Sequence, residues 1–351
     1  MRYIRKIHNK LLRKLLSKKK PLLIAEISAN HNGSLSKAKQ LINCAKKNGA
    51  DLVKLQTYTP DTMTIPSKKK DFKIKSGLWK GKTLWQLYSK AQTPFSWQKE
   101  LFNYAKKKKI LCFSTPFDET AIQLLEKIKT PFYKISSFEM TDINLIKAIS
   151  KTKKPLILST GLASLKEIEY SIRCAKKYGI KDLIILYCVS SYPAGLKDFN
   201  LNNIKILKEK FNCIVGLSDH STDNSVAQLA IAVGAEVIEK HIALENQKKG
   251  FDVKFSVKGR EIKQFKNDLI KANELLGSNY FHRSKNEKTN IKFRRSIYVV
   301  KKINKGEKFN SNNLRRIRPG YGLEPKYYNK ILGKKSKKNI SPGTPFKLNF
   351  I

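Results

Sequence analysis

Polar side chains that can hold phosphate, a carboxylate or a metal ion stand at the ends of short apolar runs along this chain. They comprise two histidines, two lysines, one carboxylate and several hydroxyls: Glu26, Lys54, Thr115, Lys134, Ser137, Ser159, Ser218, His220 and His241. Continuous apolar runs are typical of parallel strands buried on both faces. Because the carboxyl ends of such strands form the active face of a barrel, these side chains are predicted to converge on one mouth.

Two imidazoles are expected at this mouth, from His220 after the seventh run and His241 at the end of the eighth. Neutral imidazoles with open coordination positions suit a divalent cation that polarises a substrate carbonyl. The alternative is that one or both rings only form hydrogen bonds inside the barrel, which is the usual role of a lone histidine. Their position on neighbouring strand ends favours the metal.

Two lysines, Lys54 and Lys134, are predicted beside a set of hydroxyls that can hold a small phosphorylated anion. Each hydroxyl alone is more often a helix N-cap, but a buried lysine needs an anionic partner. Glu26 and Glu139 lie near the same rim and can act as acid or base or hold sugar hydroxyls. The alternative for each is a structural ion pair with a lysine. The hydroxyls are those of Thr115, Ser137, Ser159 and Ser218.

The alternation of apolar runs and helix-like segments predicts a (β/α)8 TIM barrel. The strands are predicted at residues 22–26, 52–56, 110–115, 132–137, 156–159, 183–188, 214–218 and 237–241. Helices are predicted at residues 35–48, 119–128, 144–150, 165–178, 201–210, 225–233 and 261–276. The connection 60–95 far exceeds the usual length of about two to six residues for a βα loop, so a lid carrying Trp79 and Trp85 is predicted.

The 351 residues, 40% of them hydrophobic, suffice for one barrel and a small second domain. The predicted divisions are a basic extension at 1–19, a barrel at 20–280, a linker at 281–293 and a loop-rich domain at 294–351. Short strands are predicted in that last domain at 296–300 and 346–350.

The first 19 residues carry basic and no acidic side chains, with apolar residues at helical spacing. Such a basic amphipathic helix can lie on an anionic membrane surface. It can also pack against the barrel floor or a second subunit, or form a loosely ordered tail, and these alternatives are preferred because its apolar face is short. The face comprises Ile4, Ile7, Leu11, Leu12, Leu15 and Leu16.

The chain is strongly basic, with 72 Lys+Arg against 27 Asp+Glu and a formal net charge of +45. The lysines are spread over exposed faces of predicted helices, and no nucleic-acid-binding motif accompanies them, so no nucleic-acid partner is expected. A basic protein that binds an anionic polymer is the non-enzyme alternative, with steep salt dependence as its signature. Neither a membrane-spanning run nor a secretory signal is visible, which predicts a cytoplasmic protein.

Several motifs, in order and spacing, resemble the sialic acid synthase family. They are AEISANHNG at 25–33, KLQTY at 54–58, STPF at 114–117, YKISSFE at 133–139, STG at 159–161, GLSDH at 216–220 and EKH at 239–241. The segments NKGE at 304–307 and RPGYG at 318–322 resemble the antifreeze-like (SAF) domain of that family. The resemblance covers roughly residues 20–350 and leaves the basic extension outside it.

The resemblance implies that phosphoenolpyruvate condenses with the open-chain form of an N-acetylated amino sugar, giving a nine-carbon 2-keto acid and phosphate by C–O cleavage. It implies Mn²⁺ or Mg²⁺ on His220 and His241, and acid–base or sugar-positioning roles for Glu26 and Glu139. Ser190 joins the phosphoenolpyruvate contacts, at a position where N-acetylneuraminate enzymes have asparagine. These contacts are Lys54, Thr115, Lys134, Ser137, Ser159, Ser190 and Ser218.

The resemblance also assigns sugar contacts to Gln56, Tyr192, Asp252 and Arg318. Arg318 would reach the sugar across a domain-swapped homodimer. Within the family, QTYTPD at 56–61 and the Trp79 segment are most similar to synthases of pseudaminic acid, whose sugar is 2,4-diacetamido-2,4,6-trideoxy-L-altrose. Legionaminic or N-acetylneuraminic acid synthesis is the alternative. A different enzyme class, aldol cleavage through a lysine Schiff base, would use Lys54 or Lys134 as nucleophile.

Overall fold

The computed structural model of the protein describes residues 7–17, 20–278 and 280–351. Eight parallel strands follow one another around a closed barrel, in which β1 pairs with both β2 and β8. The predicted (β/α)8 barrel is therefore confirmed. Its strands are β1 Leu22–Glu26, β2 Leu52–Thr57, β3 Leu111–Pro116, β4 Tyr133–Ile135, β5 Leu156–Ser159, β6 Leu183–Cys188, β7 Ile214–Asp219 and β8 Val237–Ala243.

Helices cover the outside of the barrel, and most begin at a side-chain cap such as Ser34, Asp118 or Ser164. A two-residue strand, β9 Val257–Lys258, pairs parallel with Ile242 and Ala243 at the end of β8. The helices of this unit are α1 Lys10–Leu16, α2 Leu35–Lys47, α3 Pro60–Met63, α4 Leu84–Ala91, α5 Phe95–Lys107, α6 Glu119–Lys127, α7 Ile143–Lys151, α8 Leu165–Lys177, α9 Asn202–Phe211, α10 Ser225–Ala232 and α11 Glu261–Leu276.

Side chains alternate between two apolar clusters along each barrel strand. On β1, Leu22 and Ile24 belong to the cluster that fills the barrel, whereas Leu23 and Ala25 pack under the helices. Because the strand period is two, the next inward residue is Glu26 at the carboxyl end. Position 216 on β7 requires glycine, because a Cβ there would lie 2.1 Å from the Val237 carbonyl oxygen. The alternation thus fills the lower barrel with apolar groups and leaves polar groups at the mouth.

Helix α1 packs across the amino-terminal floor of the barrel, one of the alternatives considered for the basic extension. Leu12 is buried in the inner cluster, and the backbone N–H groups of His8 and Asn9 donate to the Asp182 carboxylate at 2.8 and 2.7 Å. A residual cavity of about 10 Å³ remains between this helix and the strand ends. Ile4, the first residue of the predicted apolar face, lies outside the described residues.

Replacing Leu12 by alanine is expected to lower the free energy of unfolding by about 2–5 kcal/mol, because it removes a buried leucine from the closed end of the core. Urea denaturation measures the loss. The exposed neighbour Lys14→Ala is the matched control and should change the unfolding free energy by less than about 0.5 kcal/mol. Equal effects of the two substitutions would show that α1 does not close the floor.

The chain divides into two compact units between Gly277 and Ser278. In the second unit, the strands β10 Ser296–Val299 and β11 Leu314–Ile317 pair antiparallel over a small apolar core that includes Phe309 and Phe346. This unit also has the helices α12 Lys285–Lys288 and α13 Tyr328–Ile331. The segment predicted as a linker thus contains a helical turn that Ser284 caps, followed directly by the 3₁₀ helix Thr289–Phe293.

The strand predicted at 346–350 is wrong. Phe346 donates its N–H to Ile297 at 2.9 Å, but Leu348–Phe350 forms a 3₁₀ turn. Pro345 forms an isolated antiparallel bridge with Tyr298, but it has no N–H to donate, and the pairing does not extend into a strand. The partner of β10 is instead Leu314–Ile317, whose basic, exposed residues hid it from the apolar pattern. Among the described residues, no helix is long and apolar enough to cross a membrane.

Candidate active site

The two predicted lysines meet two carboxylates inside the mouth of the barrel. Lys54 on β2 forms an ion pair with Glu26 on β1, and its Nζ lies 3.8 Å from Oε1 of Glu239 on β8. Lys134 on β4 contacts the same Glu239 oxygen at 2.5 Å. All four side chains are almost completely buried. The mouth therefore contains a network of two cations and two anions, which we call the lysine cradle.

Charge and burial act against each other in the lysine cradle. Burial alone would lower the pKa of Lys54, but the carboxylates of Glu239 and Glu26 outweigh it and raise that pKa. Burial, aided by the neighbouring charge of Lys54, lowers the pKa of Lys134 despite its contact with Glu239. For Glu239, burial opposes ionisation, yet the two lysines bring its pKa down to about 2. Glu239 is therefore the anion that compensates both cations in this structure.

The predicted hydroxyls surround the lysine cradle. Lys54 donates to Thr115 Oγ1 at 3.2 Å, and Ser218 donates to Glu239 Oε1 at 3.1 Å. Ser137 Oγ accepts from the Gly161 N–H at 3.0 Å, and its hydroxyl also hydrogen-bonds to the Cys188 thiol. The buried Ser159 hydroxyl has no hydrogen-bond partner.

Gly161 allows two of these hydroxyls to approach its backbone. A Cβ on this residue would lie 2.1 Å from Ser190 Oγ and 2.7 Å from Ser137 Oγ. Any side chain there would displace both serines, so glycine is required by the close approach. The structure thus brings Ser190 beside Ser137, as the resemblance implied.

The two predicted imidazoles lie side by side in an aromatic wall. The ring centroids of His220 and His241 are 5.4 Å apart, and both rings contact Phe255. Tyr192, which is joined to Pro193 by a cis peptide bond, lies tilted against His220 with the ring centroids 4.5 Å apart. These contacts place the predicted metal ligands and one predicted sugar contact in a single wall of the mouth.

The surroundings of the two rings leave nitrogen lone pairs available for a cation. His220 Nδ1 lies 3.1 Å from the Val189 carbonyl oxygen, so it carries the proton and Nε2 is free. His241 Nδ1 is buried and lies 3.5 Å from Asp252 Oδ2, the carboxylate that faces this ring. Burial raises the pKa of Asp252, but the adjacent imidazole outweighs this effect and keeps that pKa below its usual value.

A carboxylate behind an imidazole is a common arrangement at metal sites, because it orients the ring and increases its basicity. In residues 7–17, 20–278 and 280–351, no group of three or more His, Cys, Asp or Glu side chains could hold a metal ion by itself. The donor set of two imidazoles therefore fits a divalent cation only if substrate or water fills the remaining positions. That is the open type of site that catalysis requires.

The long connection after β2 reaches across the mouth. Between α3 and α4 it forms a hairpin closed by a bridge between Lys73 and Thr83, with Gly77 and Gly81 at positive φ. Trp79 near its tip contacts Tyr192 at 5.9 Å, and Lys82 lies over the Phe251 ring at 5.0 Å. The predicted lid is thus present, and it touches the loops that follow β6 and β8.

His31, in the loop after β1, holds the base of the lid. Its Nδ1 accepts from the Gly33 N–H at 3.1 Å, so its Nε2 carries the proton and donates to Thr93 Oγ1, also at 3.1 Å. Protonation of Nδ1 would place its N–H against the Gly33 N–H, so that two donors face each other without an acceptor. Burial lowers the pKa of His31 from 6.5 to about 4, although Asp252 partly opposes the shift.

The unfolding free energy is expected to fall by about 3 kcal/mol through His31 as the pH decreases from 6.5 to 4. The folded-state pKa is below the unfolded one, so the unfolded chain binds more protons in this window and the folded state loses stability. Urea denaturation across the window measures the effect. His31→Asn, whose Oδ1 can accept from Gly33, should remove that part of the pH dependence. An unchanged pH dependence would contradict this assignment.

The remaining predicted site residues differ in how the structure places them. Gln56 donates to Glu26 Oε1 at 3.4 Å and to Ser28 Oγ at 3.1 Å, which ties it to the lysine cradle. Glu139 accepts from the Ser136 hydroxyl, and burial raises its pKa despite that bond. Arg318 lies in the second unit, exposed on the segment after β11.

The sequence patterns missed two residues that the structure places in the site. Glu239 had no predicted role, although it stands two residues before His241 and so faces the same side of β8. Cys188, at the end of β6, has its Sγ 3.8 Å from His220 Nδ1. For Glu239 the strand period was an available signal, whereas nothing in the sequence distinguishes Cys188 from a core thiol.

Comparisons with known proteins cover both units. A model described as the NeuB family matches residues 41–280, and a model of the SAF domain matches residues 294–351. A pseudaminic acid synthase of Campylobacter jejuni subsp. jejuni serotype O:23/36 (strain 81-176) is 44% identical over 94% of this chain and 96% of its own length. An N,N'-diacetyllegionaminic acid synthase of Campylobacter jejuni serotype O:2 is 37% identical over 92% and 97%.

Among solved structures, the N-acetylneuraminic acid (sialic acid) synthetase of Leptospira borgpetersenii serovar Hardjo-bovis, crystallised with citrate, is similar with a TM-score of 0.70. It is 31% identical and covers 78% of this chain and 90% of its own. These similarities confirm the resemblance to the sialic acid synthase family.

Proposed function

The chain belongs to the NeuB family of nonulosonic acid synthases, and on this premise we propose that it condenses phosphoenolpyruvate with 2,4-diacetamido-2,4,6-trideoxy-L-altrose. The products would be pseudaminic acid and phosphate. The main support for a condensation of this class is the lysine cradle, which lies beside two imidazoles in the same barrel mouth. The chain is 44% and 41% identical to two pseudaminic acid synthases, which favours this sugar. It is 37% identical to a legionaminic acid synthase, so the synthesis of legionaminic acid is the second candidate function.

Phosphoenolpyruvate is the anion that we assign to the lysine cradle. Lys54 and Lys134 would bind its phosphate and carboxylate groups. In this structure the carboxylate of Glu239 supplies the negative charge beside both lysines. The Ser159 hydroxyl has no hydrogen-bond partner, and the hydroxyls of Ser137 and Ser190 lie together beside Gly161. The remaining proposed contacts, Thr115 and Ser218, already hydrogen-bond to the cradle.

The sugar is assigned to the space between the cradle and the aromatic wall. A divalent ion, Mn²⁺ or Mg²⁺, held by His220 and His241 would polarise the sugar aldehyde as a Lewis acid. Glu139 is proposed as the proton donor to the sugar oxygen, because burial raises the pKa of its carboxyl group. Glu26, fixed by the Ser28 N–H at 2.8 Å, is proposed to orient the water that adds at C2. Gln56, Tyr192 and Asp252 would line the sugar.

A homodimer is part of this proposal. Large apolar side chains are exposed on the loops after β4, β5 and β6, where Phe138 is 60%, Leu162 75% and Leu196 58% exposed. Exposed apolar groups clustered on one face mark interaction surfaces. We assign this rim to the SAF domain of a second copy, which would bring Arg318 to an N-acetyl group of the sugar. A monomeric form should then be nearly inactive.

Replacing Trp79 by alanine is expected to raise the KM for the sugar about 10- to 100-fold and to leave the KM for phosphoenolpyruvate unchanged. The lid indole lies against Tyr192, where the methyl groups of two acetamido substituents can bury against aromatic rings. Steady-state kinetics with each substrate varied in turn measures both constants. Leu78→Ala, beside it in the hairpin, is the control. An unchanged sugar KM would contradict the assignment.

The reaction is tested by measuring phosphate release with phosphoenolpyruvate and a panel of N-acetylated amino sugars, one per reaction, with and without EDTA. The proposal predicts release only with the L-altro sugar, loss of release with EDTA, and a product of the mass of pseudaminic acid. Release with another sugar would move the assignment to legionaminic or N-acetylneuraminic acid. Borohydride trapping of pyruvate on Lys54 or Lys134 would instead indicate Schiff-base chemistry.

A further inference from the structure

A buried ion pair stands directly behind the two imidazoles, outside the mouth itself. Asp219 on β7 and Lys240 on β8 are register partners, 0% and 2% exposed, with Lys240 Nζ 2.8 Å from Asp219 Oδ2. Because side chains alternate along a strand, these two residues point towards the helix layer while their neighbours face the mouth. Those neighbours are the proposed ligands His220 and His241.

The ion pair also binds the backbone on the far side of His220. Asp219 Oδ1 accepts from the Ser221 N–H at 2.8 Å, and Lys240 donates to the Ser221 carbonyl oxygen at 2.6 Å. His220 is therefore held on both sides by groups that converge on Lys240, the residue before His241. The closed set of hydrogen bonds couples the position of one imidazole to that of the other.

Stability alone does not account for such a pair. Removing two charges from water costs free energy that their attraction often fails to recover, and apolar replacements of similar size are frequently as stable. The ladder between β7 and β8 ends at Asp219 and Lys240. Beyond it, His220 is held by hydrogen bonds to the Val189 carbonyl oxygen and the Ala194 N–H, at 3.1 and 3.0 Å, which both belong to the segment after β6. The ion pair adds a link from this segment to β8, the strand that carries His241.

We propose that Asp219 and Lys240 are positioning residues that hold His220 and His241 in the relative placement a divalent cation requires. This inference rests on the metal site of the proposed function. Neither residue contacts substrate or cation. Each acts through the backbone of its neighbouring histidine, and loss of the pair would let the Ser221 peptide turn and the two rings separate.

The experiment is a titration of the metal-stripped, full-length protein with MnCl₂, with binding measured by calorimetry and free Mn²⁺ by electron paramagnetic resonance. Two variants remove the constraint: D219L/K240M replaces both charges by apolar side chains, and D219N keeps the side-chain shape. The matched control is K266M, which removes the ion pair of another buried lysine. Lys266 contacts Asp51 Oδ2 at 2.5 Å and the Pro21 carbonyl oxygen at 2.6 Å, at the floor of the barrel. Circular dichroism checks that each variant is folded.

The proposal predicts that the Kd for Mn²⁺ rises about 10- to 100-fold in both site variants and changes less than about twofold in K266M. A folded site variant with the wild-type Kd would overturn it, as would an equal rise in K266M. If the wild-type protein binds no Mn²⁺, the metal site and this inference both fail. Phosphate release by the wild-type protein tests the proposed condensation separately, so a failure of the positioning role alone is distinguishable.

Discussion

Replacing both His220 and His241 by alanine is expected to lower the turnover number for phosphate release by about 10³-fold or more. The rings supply the only pair of adjacent imidazoles in the described part of the mouth, and their centroids are 5.4 Å apart. A Lewis acid contributes several kcal/mol to stabilisation of developing charge, and each 1.36 kcal/mol changes a rate tenfold. Initial rates at saturating Mn²⁺, phosphoenolpyruvate and sugar measure the effect.

The matched control for this prediction is His282→Ala, because His282 lies exposed in the second unit. Its turnover number should stay within about twofold of the wild-type value. Each single variant should bind Mn²⁺ more weakly, so that added metal recovers part of its activity, whereas the double variant should not recover. Full turnover in the double variant would show that the imidazoles have no role in the reaction.

Replacing Lys54 by methionine is expected to lower the free energy of unfolding by about 3–5 kcal/mol and to raise the KM for phosphoenolpyruvate at least 100-fold. The fold is weakened because Glu26 loses its cation while it remains completely buried. The substrate affinity falls because a desolvated cation no longer faces the anion. Urea denaturation and steady-state kinetics measure the two losses independently.

A second substitution separates the two effects of Lys54→Met. In K54M/E26Q the uncompensated carboxylate is replaced by an amide, so most of the unfolding free energy should return. The KM for phosphoenolpyruvate should remain high, since the amide supplies no positive charge. Recovery of the wild-type KM in this double variant would mean that Lys54 is only the structural partner of Glu26, the alternative left open by the sequence.

The barrel could be predicted from sequence because each strand is marked by residues that are adjacent in the chain. Buried parallel strands are apolar over their whole length and end in polar residues, and most predicted strand limits agree with the structure within one or two residues. β4 is the strand that is shorter than predicted at both ends, with 132–137 predicted and Tyr133–Ile135 found. Ser136 and Ser137 instead accept turn hydrogen bonds from Glu139 and Met140, an arrangement that no apolar pattern indicates.

The parts of the site that depend on distant residues could not be predicted from spacing. Glu239 becomes the shared partner of Lys54 and Lys134 only when β8 closes the barrel against β1. The Asp219–Lys240 pair likewise depends on the register of two strands. Sequence reasoning identified the residues at the strand ends, but the choice of partner among them is set by barrel closure.

The central claim is that the site joins phosphoenolpyruvate to an amino sugar by breaking the C–O bond. Its most direct test uses phosphoenolpyruvate labelled with oxygen-18 at the atom bridging C2 and phosphorus, together with Mn²⁺ and the L-altro sugar. The account predicts that the released phosphate carries the label and that EDTA prevents its release. Unlabelled phosphate, or label released equally well in the presence of EDTA, would contradict it.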